Sequence, residues 1–166
     1  MSEMINPYIA GAPVAEKTMF FGRQDVFDWV RRSLTGKFVD HILVIHGQRR
    51  VGKTSVLKQI PYHLPHTYIP VFFDLQGRTH TTIDRFLWRL TKEITRNLRT
   101  SEDISLPDFT RDQFSEDPEL FQNQLLPQLS QAIGDRRLLL IFDEFDSLEE
   151  PTAKEMLTEN LIPYLS

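Results

Sequence analysis

The residues best placed to do chemistry are Gly47-Gln48-Arg49-Arg50-Val51-Gly52-Lys53-Thr54, which spell G-x-x-x-x-G-K-T directly after the apolar run Ile42-Leu43-Val44-Ile45. A polyphosphate needs several convergent N–H donors, and a loop wrapped around it at the start of a helix supplies them. Gly47 and Gly52 allow a sharp turn and a close approach of main chain to phosphate. Lys53 can set a point charge on the β- and γ-phosphates, and the Thr54 hydroxyl can hold a magnesium ion. Arg49 and Arg50 serve phosphate through their main-chain N–H groups whatever their side chains do, with Gln48 and Val51 completing the loop. One arginine side chain can also reach phosphate or a neighbouring subunit.

A second group lies at Asp143-Glu144-Phe145-Asp146, after Leu138-Leu139-Leu140-Ile141-Phe142. A run apolar at every position is the pattern of a parallel strand covered on both faces. In a doubly wound sheet ligands gather at the carboxyl ends of strands, which would set Asp143 beside the phosphate loop. There Asp143 can hold the Thr54-bound magnesium, usually through water. Glu144 can orient and polarise an attacking water. Asp146 reads as the cap of the next segment. Asp74 and Gln76, just past another strand, can touch the site through water or be surface residues only.

These groups need elements to position them. The apolar run at Ile42–Ile45 is expected to be a buried strand, and Ser55, Val56, Leu57 and Ile60 a short helix that Pro61 stops. Before them, Met1 to Thr18 reads as an irregular arm, since Asn6-Pro7-Tyr8-Ile9-Ala10-Gly11-Ala12-Pro13 is rich in breakers. Val26, Phe27, Val30 and Leu34 then share one helical face. Tyr68 to Asp74 is a strand whose early Pro70 points to a sheet edge. Thr81 or Thr82 caps a long helix with a core-facing stripe of Ile83, Phe86, Leu87, Leu90, Ile94 and Leu98. Thr100 to Asp117 is an acidic, weakly apolar connection, expected to be the chain's most mobile loop. Asp117-Pro118 opens a further helix to about Ile133, kinked or broken at Pro127. A last helical segment opens near Pro151 and carries Met156, Leu157, Leu161 and Leu165.

Composition narrows the function classes. The 166 residues suit one core, and 40% hydrophobic with 25% charged residues is ordinary for a soluble globular protein. A net charge of −4 gives no global basic field for nucleic acid or an anionic membrane. With no cysteine, disulfides, iron–sulfur clusters and thiolate zinc sites are excluded. The five histidines form no H-E-x-x-H pair. No signal segment or bilayer-length apolar run is visible, so a cytoplasmic protein is expected.

With both groups in place, the chain resembles the P-loop ATPases that carry a catalytic glutamate after the metal-binding aspartate. More narrowly it resembles the STAND signalling ATPases and their AAA+-like relatives, including archaeal replication initiators. Phe20-Phe21-Gly22-Arg23, Asn6-Pro7-Tyr8 with Gly11 and Pro13, the loop through Ser55, and Leu140-Ile141-Phe142-Asp143-Glu144-Phe145 carry the resemblance. It implies an α/β, three-layer P-loop NTPase fold with a mostly parallel sheet, binding ATP and Mg2+. Residues 1–40 would be an arm and helix ahead of a core at 41–166. It implies a nucleotide contact for Arg23 and packing of Pro7, Tyr8 and Ile9 around adenine, although the residues alone equally allow the arm to pack on the core. Ser55 would join the phosphate-binding group, with Lys53 and Glu144 catalytic.

The chain departs from that pattern by stopping early. The strand expected between the phosphate-loop strand and the Asp143-Glu144 strand is absent, as are a fifth strand, an arginine finger and a helical lid. Two unpaired edges would then face a gap, and either the chain is an N-terminal piece of a longer protein or the gap is filled by a partner or a rearranged sheet. The function expected is a magnesium-dependent ATP-hydrolysing switch, held in one conformation by ATP and released when loss of the γ-phosphate leaves ADP, with homo-oligomerisation in the full-length protein. A DNA-associated initiator or loader ATPase, or an assembly module without turnover, are the alternatives. No membrane contact is expected, and direct nucleic-acid binding is disfavoured by the acidic balance and the lack of a basic module.

Overall fold

The computed structural model describes residue 20 and residues 22–35, 43–48, 50–76, 82–117 and 119–145. The chain falls into two compact units, Met1–Pro65 and His66–Ser166.

In the first unit, helix α1 (Gln24–Thr35) buries Phe27, Val30 and Leu34, the three- and four-residue spacing of one helical face. Asp25 in its first turn and Arg32 in its last complement the helix dipole. The Phe27 ring stacks on His63 with centroids 4.0 Å apart and meets Phe20 edge-on at 5.6 Å. Helix α2 (Lys53–Gln59) runs directly into a 3₁₀ turn at Ile60–His63. As expected, the α-helix ends ahead of Pro61, with Ile60 as its C-cap, and the proline sits in the first turn of the 3₁₀ segment. A missing N–H costs little there, so the proline tightens the pitch and the helical course continues.

The strand expected at Ile42–Ile45 is corrected. Leu43, Val44 and Ile45 carry no strand pairing, and Val44 is 61% exposed. An apolar run becomes a strand only when another strand takes up its N–H and C=O groups, and among the described residues the sheet has two members, both elsewhere in the chain. Ile42 lies outside the described residues.

In the second unit, β1 (Tyr68–Asp74) and β2 (Arg137–Asp143) pair in parallel, from Tyr68 opposite Arg137 to Asp74 opposite Asp143. Alternate β1 residues Ile69, Val71 and Phe73 are buried, the two-residue period of a strand with one face on a core. Pro70 costs no ladder bond at a sheet edge. The expectation that β2 is covered on both faces holds in part. Ile141 is buried, while Leu138, Leu139, Leu140 and Phe142 are half-buried.

Helix α3 (Ile83–Glu102) supplies the second face of this core through Phe86, Leu87, Leu90, Ile94 and Leu98. Thr91 and Thr95 are buried among them, and their hydroxyls donate to the carbonyls of Leu87 at 2.8 Å and Lys92 at 3.1 Å, which removes the penalty for burying them. The helix ends where Asp103 takes a left-handed φ of 55° and its N–H returns to the Leu98 carbonyl, a 6→1 spacing, with the Ile104 N–H on the same carbonyl and its apolar side chain packed on the core.

The connection after α3 is not a loose loop, which corrects the expectation for Thr100 to Asp117. Leu106, Phe109 and Phe114 are buried in the core. Thr110 and Gln113 form a reciprocal capping box that opens α4 (Arg111–Glu116). The Ser115 hydroxyl donates to Asp84 at 3.0 Å, tying α4 to the start of α3. An acidic average hid three apolar anchors and a cap.

Asp117 accepts the Glu119 N–H at 3.0 Å, as expected of a helix opener. A π turn at Phe121–Leu125 precedes α5 (Leu126–Ile133), with Pro127 in the first turn of α5. The Leu126 N–H reaches back to the Phe121 carbonyl. This wide turn is how the helix accommodates the proline at the expected break. Arg136 pairs with Glu102 where α3 ends and β2 is about to begin. The segment expected near Pro151 and the N-terminal arm lie outside the described residues.

Phe114→Ala should lower unfolding free energy by about 3–5 kcal/mol in urea titration; a change below about 0.5 kcal/mol would restore the mobile-loop account. Thr110→Ala should cost about 1 kcal/mol by loss of the cap. Hydrogen bonds from Thr82 and then Ser115 hold the Asp84 carboxyl below its usual 3.8. The stabilisation from Asp84 is therefore whole above pH 3.8 and is lost as pH falls through the lower folded value. Asp84→Asn should flatten that acid limb.

Candidate functional site

The phosphate-type loop lies wholly in the first unit. Gly52 stands at the N-cap of α2 with φ 87°, and its carbonyl accepts the Val56 N–H at 3.0 Å. That left-handed conformation is strained for residues with a Cβ. No side chain caps the start of α2, where the first main-chain N–H groups of a helix have no intrahelical acceptor. At Gly47 a Cβ would come within 2.9 Å of the Val51 side chain, so any larger residue there requires that side chain to shift. Arg50 also takes a left-handed φ of 67°, part of the turn that returns the chain to the helix.

The Lys53 ammonium fills the loop. It donates to the carbonyls of Gly47 at 2.9 Å and Gln48 at 3.2 Å. A cation held by carbonyls of its own loop is placed before any ligand arrives, and an anionic oxygen can share its third donor. Thr54 and Ser55 follow, both half-buried. Gln48, Arg50 and Val51 are exposed. Arg49 lies outside the described residues, as do Pro7, Tyr8 and Ile9.

Arg23 was expected on a nucleotide. Its guanidinium donates to the Val51 carbonyl of the loop at 3.3 Å. Sequence reasoning missed Val51 as a recipient of this bond. No signal could have found it, because the acceptor is main chain and carries no residue identity.

The acidic pair lies in the second unit, at the carboxyl end of β2. Asp143 is 6% exposed. One of its oxygens accepts the N–H of Glu144 at 3.0 Å, and its carbonyl accepts the Leu75 N–H at 3.1 Å. No ion pair to Asp143 exists among the described residues, and a buried carboxylate without a counter-charge is costly. Glu144 is exposed and takes a left-handed φ of 54°. This backbone turn sends its side chain away from the strand's alternation. Across the sheet, Asp74 accepts the Gln76 N–H at 2.8 Å and so serves its own turn. Asp146 lies outside the described residues.

Thr54, a half-buried hydroxyl of the first unit, and Asp143, a buried carboxylate of the second, are each hard oxygen donors of the kind magnesium takes. No group of three or more His, Cys, Asp or Glu capable of holding a metal exists among the described residues. Magnesium usually keeps several of its waters and asks for no protein-only cage.

Compared with known proteins, the chain matches the AAA domain family over residues 37–162. No curated protein and no solved structure matches it. No described helix is long and apolar enough to cross a membrane. The match takes in the glycine loop with its enclosed lysine, the parallel strand pair and the buried Asp143, and it spans well over half of the 166 residues. The chain belongs to the AAA domain family and carries a P-loop, AAA-type ATPase domain of the α/β class.

Proposed function

We propose that the chain is a magnesium-dependent, ATP-hydrolysing switch domain of the STAND signalling type. The observation that carries the proposal is the Lys53 ammonium held by the Gly47 and Gln48 carbonyls, ahead of an uncapped helix start. Donors and charge fixed before the ligand arrives need no reorganisation on binding, which favours a polyphosphate over a lone carboxylate.

In this proposal the main-chain N–H groups of Gly47 to Ser55 surround the phosphates, including those of Gln48, Arg49, Arg50 and Val51. Lys53 bonds β- and γ-phosphate oxygens. Thr54 and Asp143 would hold magnesium, which would supply positive charge against that developing on the phosphates. Glu144 orients the attacking water and accepts its proton. Pro7, Tyr8 and Ile9 would pack around adenine, in an arm and helix at 1–40 serving a core at 41–166. Loss of the γ-phosphate would release the ATP-bound conformation, leaving ADP. A homo-oligomer of a longer, cytoplasmic protein would read that change.

Calorimetry with ATP and magnesium, with phosphate release followed on the same sample, tests the proposal. Lys53→Ala should raise the ATP Kd by about 10- to 150-fold, the loss of charge-assisted bonds to phosphate. Glu144→Gln should keep ATP affinity and slow phosphate release by about 10²- to 10⁴-fold. Equal affinity in wild type and Lys53→Ala would sink the phosphate-loop assignment. Tight binding without release in the wild type would leave an assembly module without turnover.

A further inference from the structure

Arg23 is built into the first unit in a way that a mobile ligand-seeking side chain is not. Its φ of 58° lies in the left-handed region. Its carbonyl accepts the N–H groups of Val26 at 3.1 Å and Phe27 at 3.3 Å, making it the entry to α1. Phe27 is buried between the rings of Phe20 and His63. The guanidinium thus springs from an anchored base, and it reaches 28 residues along the chain to the Val51 carbonyl.

Val51 is the residue whose setting the loop depends on. It stands between two left-handed residues, Arg50 and Gly52, and its side chain lies where a Cβ on Gly47 would go. In a trans peptide the C=O and the following N–H point opposite ways. A bond that holds the Val51 carbonyl therefore fixes the direction of the Gly52 N–H. Lys53 closes the loop from its other end through Gly47 and Gln48.

We propose that Arg23 is a positioning residue for the loop, holding the Val51 carbonyl so that the loop's donors are aimed before a phosphate group arrives. The proposal rests on the phosphate-binding proposal above and adds to it a role through main chain in place of a contact with nucleotide. Arginine suits this task, since its planar fork donates over a long reach and stays charged at any physiological pH.

The test has two arms. In ligand-free protein, amide hydrogen exchange at residues 51–53 should quicken by about three- to tenfold in Arg23→Ala, the loss of one charge-assisted bond. The amides of Val30 and Leu34 in α1 should be unchanged, and Arg23→Lys should restore the loop rate. In calorimetry, Arg23→Ala should weaken ATP and inorganic tripolyphosphate, each with magnesium, by the same factor. Weaker binding with unchanged exchange would overturn the proposal in favour of a direct ligand contact. Loss for ATP alone would overturn it in favour of a nucleoside contact, and no change in either arm would leave Arg23 without a role. If wild type and Lys53→Ala bind tripolyphosphate equally, the phosphate proposal fails, and the exchange arm still decides whether Arg23 holds the loop.

Discussion

The apolar stripe of α3 is the contact on which the second unit depends, because a 20-residue helix and the sheet formed by β1 and β2 each leave one face that water disfavours. Leu90, Ile94 and Leu98 are wholly buried, each contributing about 1.5–3 kcal/mol of transfer free energy. Against them stand Ile69, Val71 and Phe73 of β1. Slipping β1 by one residue would turn these three outward and bring Tyr68, Pro70 and Phe72 in, so burial selects the strand's facing. Phe73 meets Phe86 of α3 and Phe142 of β2 edge-on at 5.5 and 5.9 Å. Helix and both strands are thereby locked to one another. The in-register parallel pairing then delivers Asp74 and Asp143 to the same end of the sheet.

Identical residue types at that shared end meet different fates. Asp74 is exposed and spends an oxygen on the turn that follows it. Asp143 is buried, with only the next residue's N–H on its carboxylate among the described hydrogen bonds. Burial decides which carboxylate is costly to leave without a cation, and so which is suited to one. Glu144, one residue past the end of β2, is exposed and takes a left-handed φ of 54°.

In the first unit the organising force is electrostatic and local. The loop around Lys53 turns carbonyls toward a cation, and its left-handed residues, Arg50 and Gly52, give the main chain the curvature to do so. Such a loop stores its shape in backbone angles rather than in a hydrophobic core. That explains how Val51 can be 42% exposed and still be held, by Arg23 at its carbonyl and by close contact with Gly47 at its side chain.

Much of this was legible in the linear chain. The glycine and lysine spacing of 47–54 marked the loop, since Gly52 takes a left-handed φ that favours glycine and Lys53 supplies the charge. The faces of α1 and α3, the extent of Tyr68–Asp74 and the helix opener at Asp117 followed from periodicity and capping, which are properties of neighbouring residues. The rest needed tertiary structure, for stated physical reasons. The 103–117 segment reads as acidic on average, and its order rests on where Leu106, Phe109 and Phe114 are buried. Leu43–Ile45 has the composition of a strand, but pairing is a property of two segments, and the described residues hold no partner for it. The bond from Arg23 to Val51 ends on a carbonyl that every residue type possesses, so no sequence pattern marks it. The sequence by itself determined which groups could bind phosphate and handle water. Tertiary structure decided which of them are buried and held, because burial and main-chain hydrogen bonding depend on residues far apart in the chain.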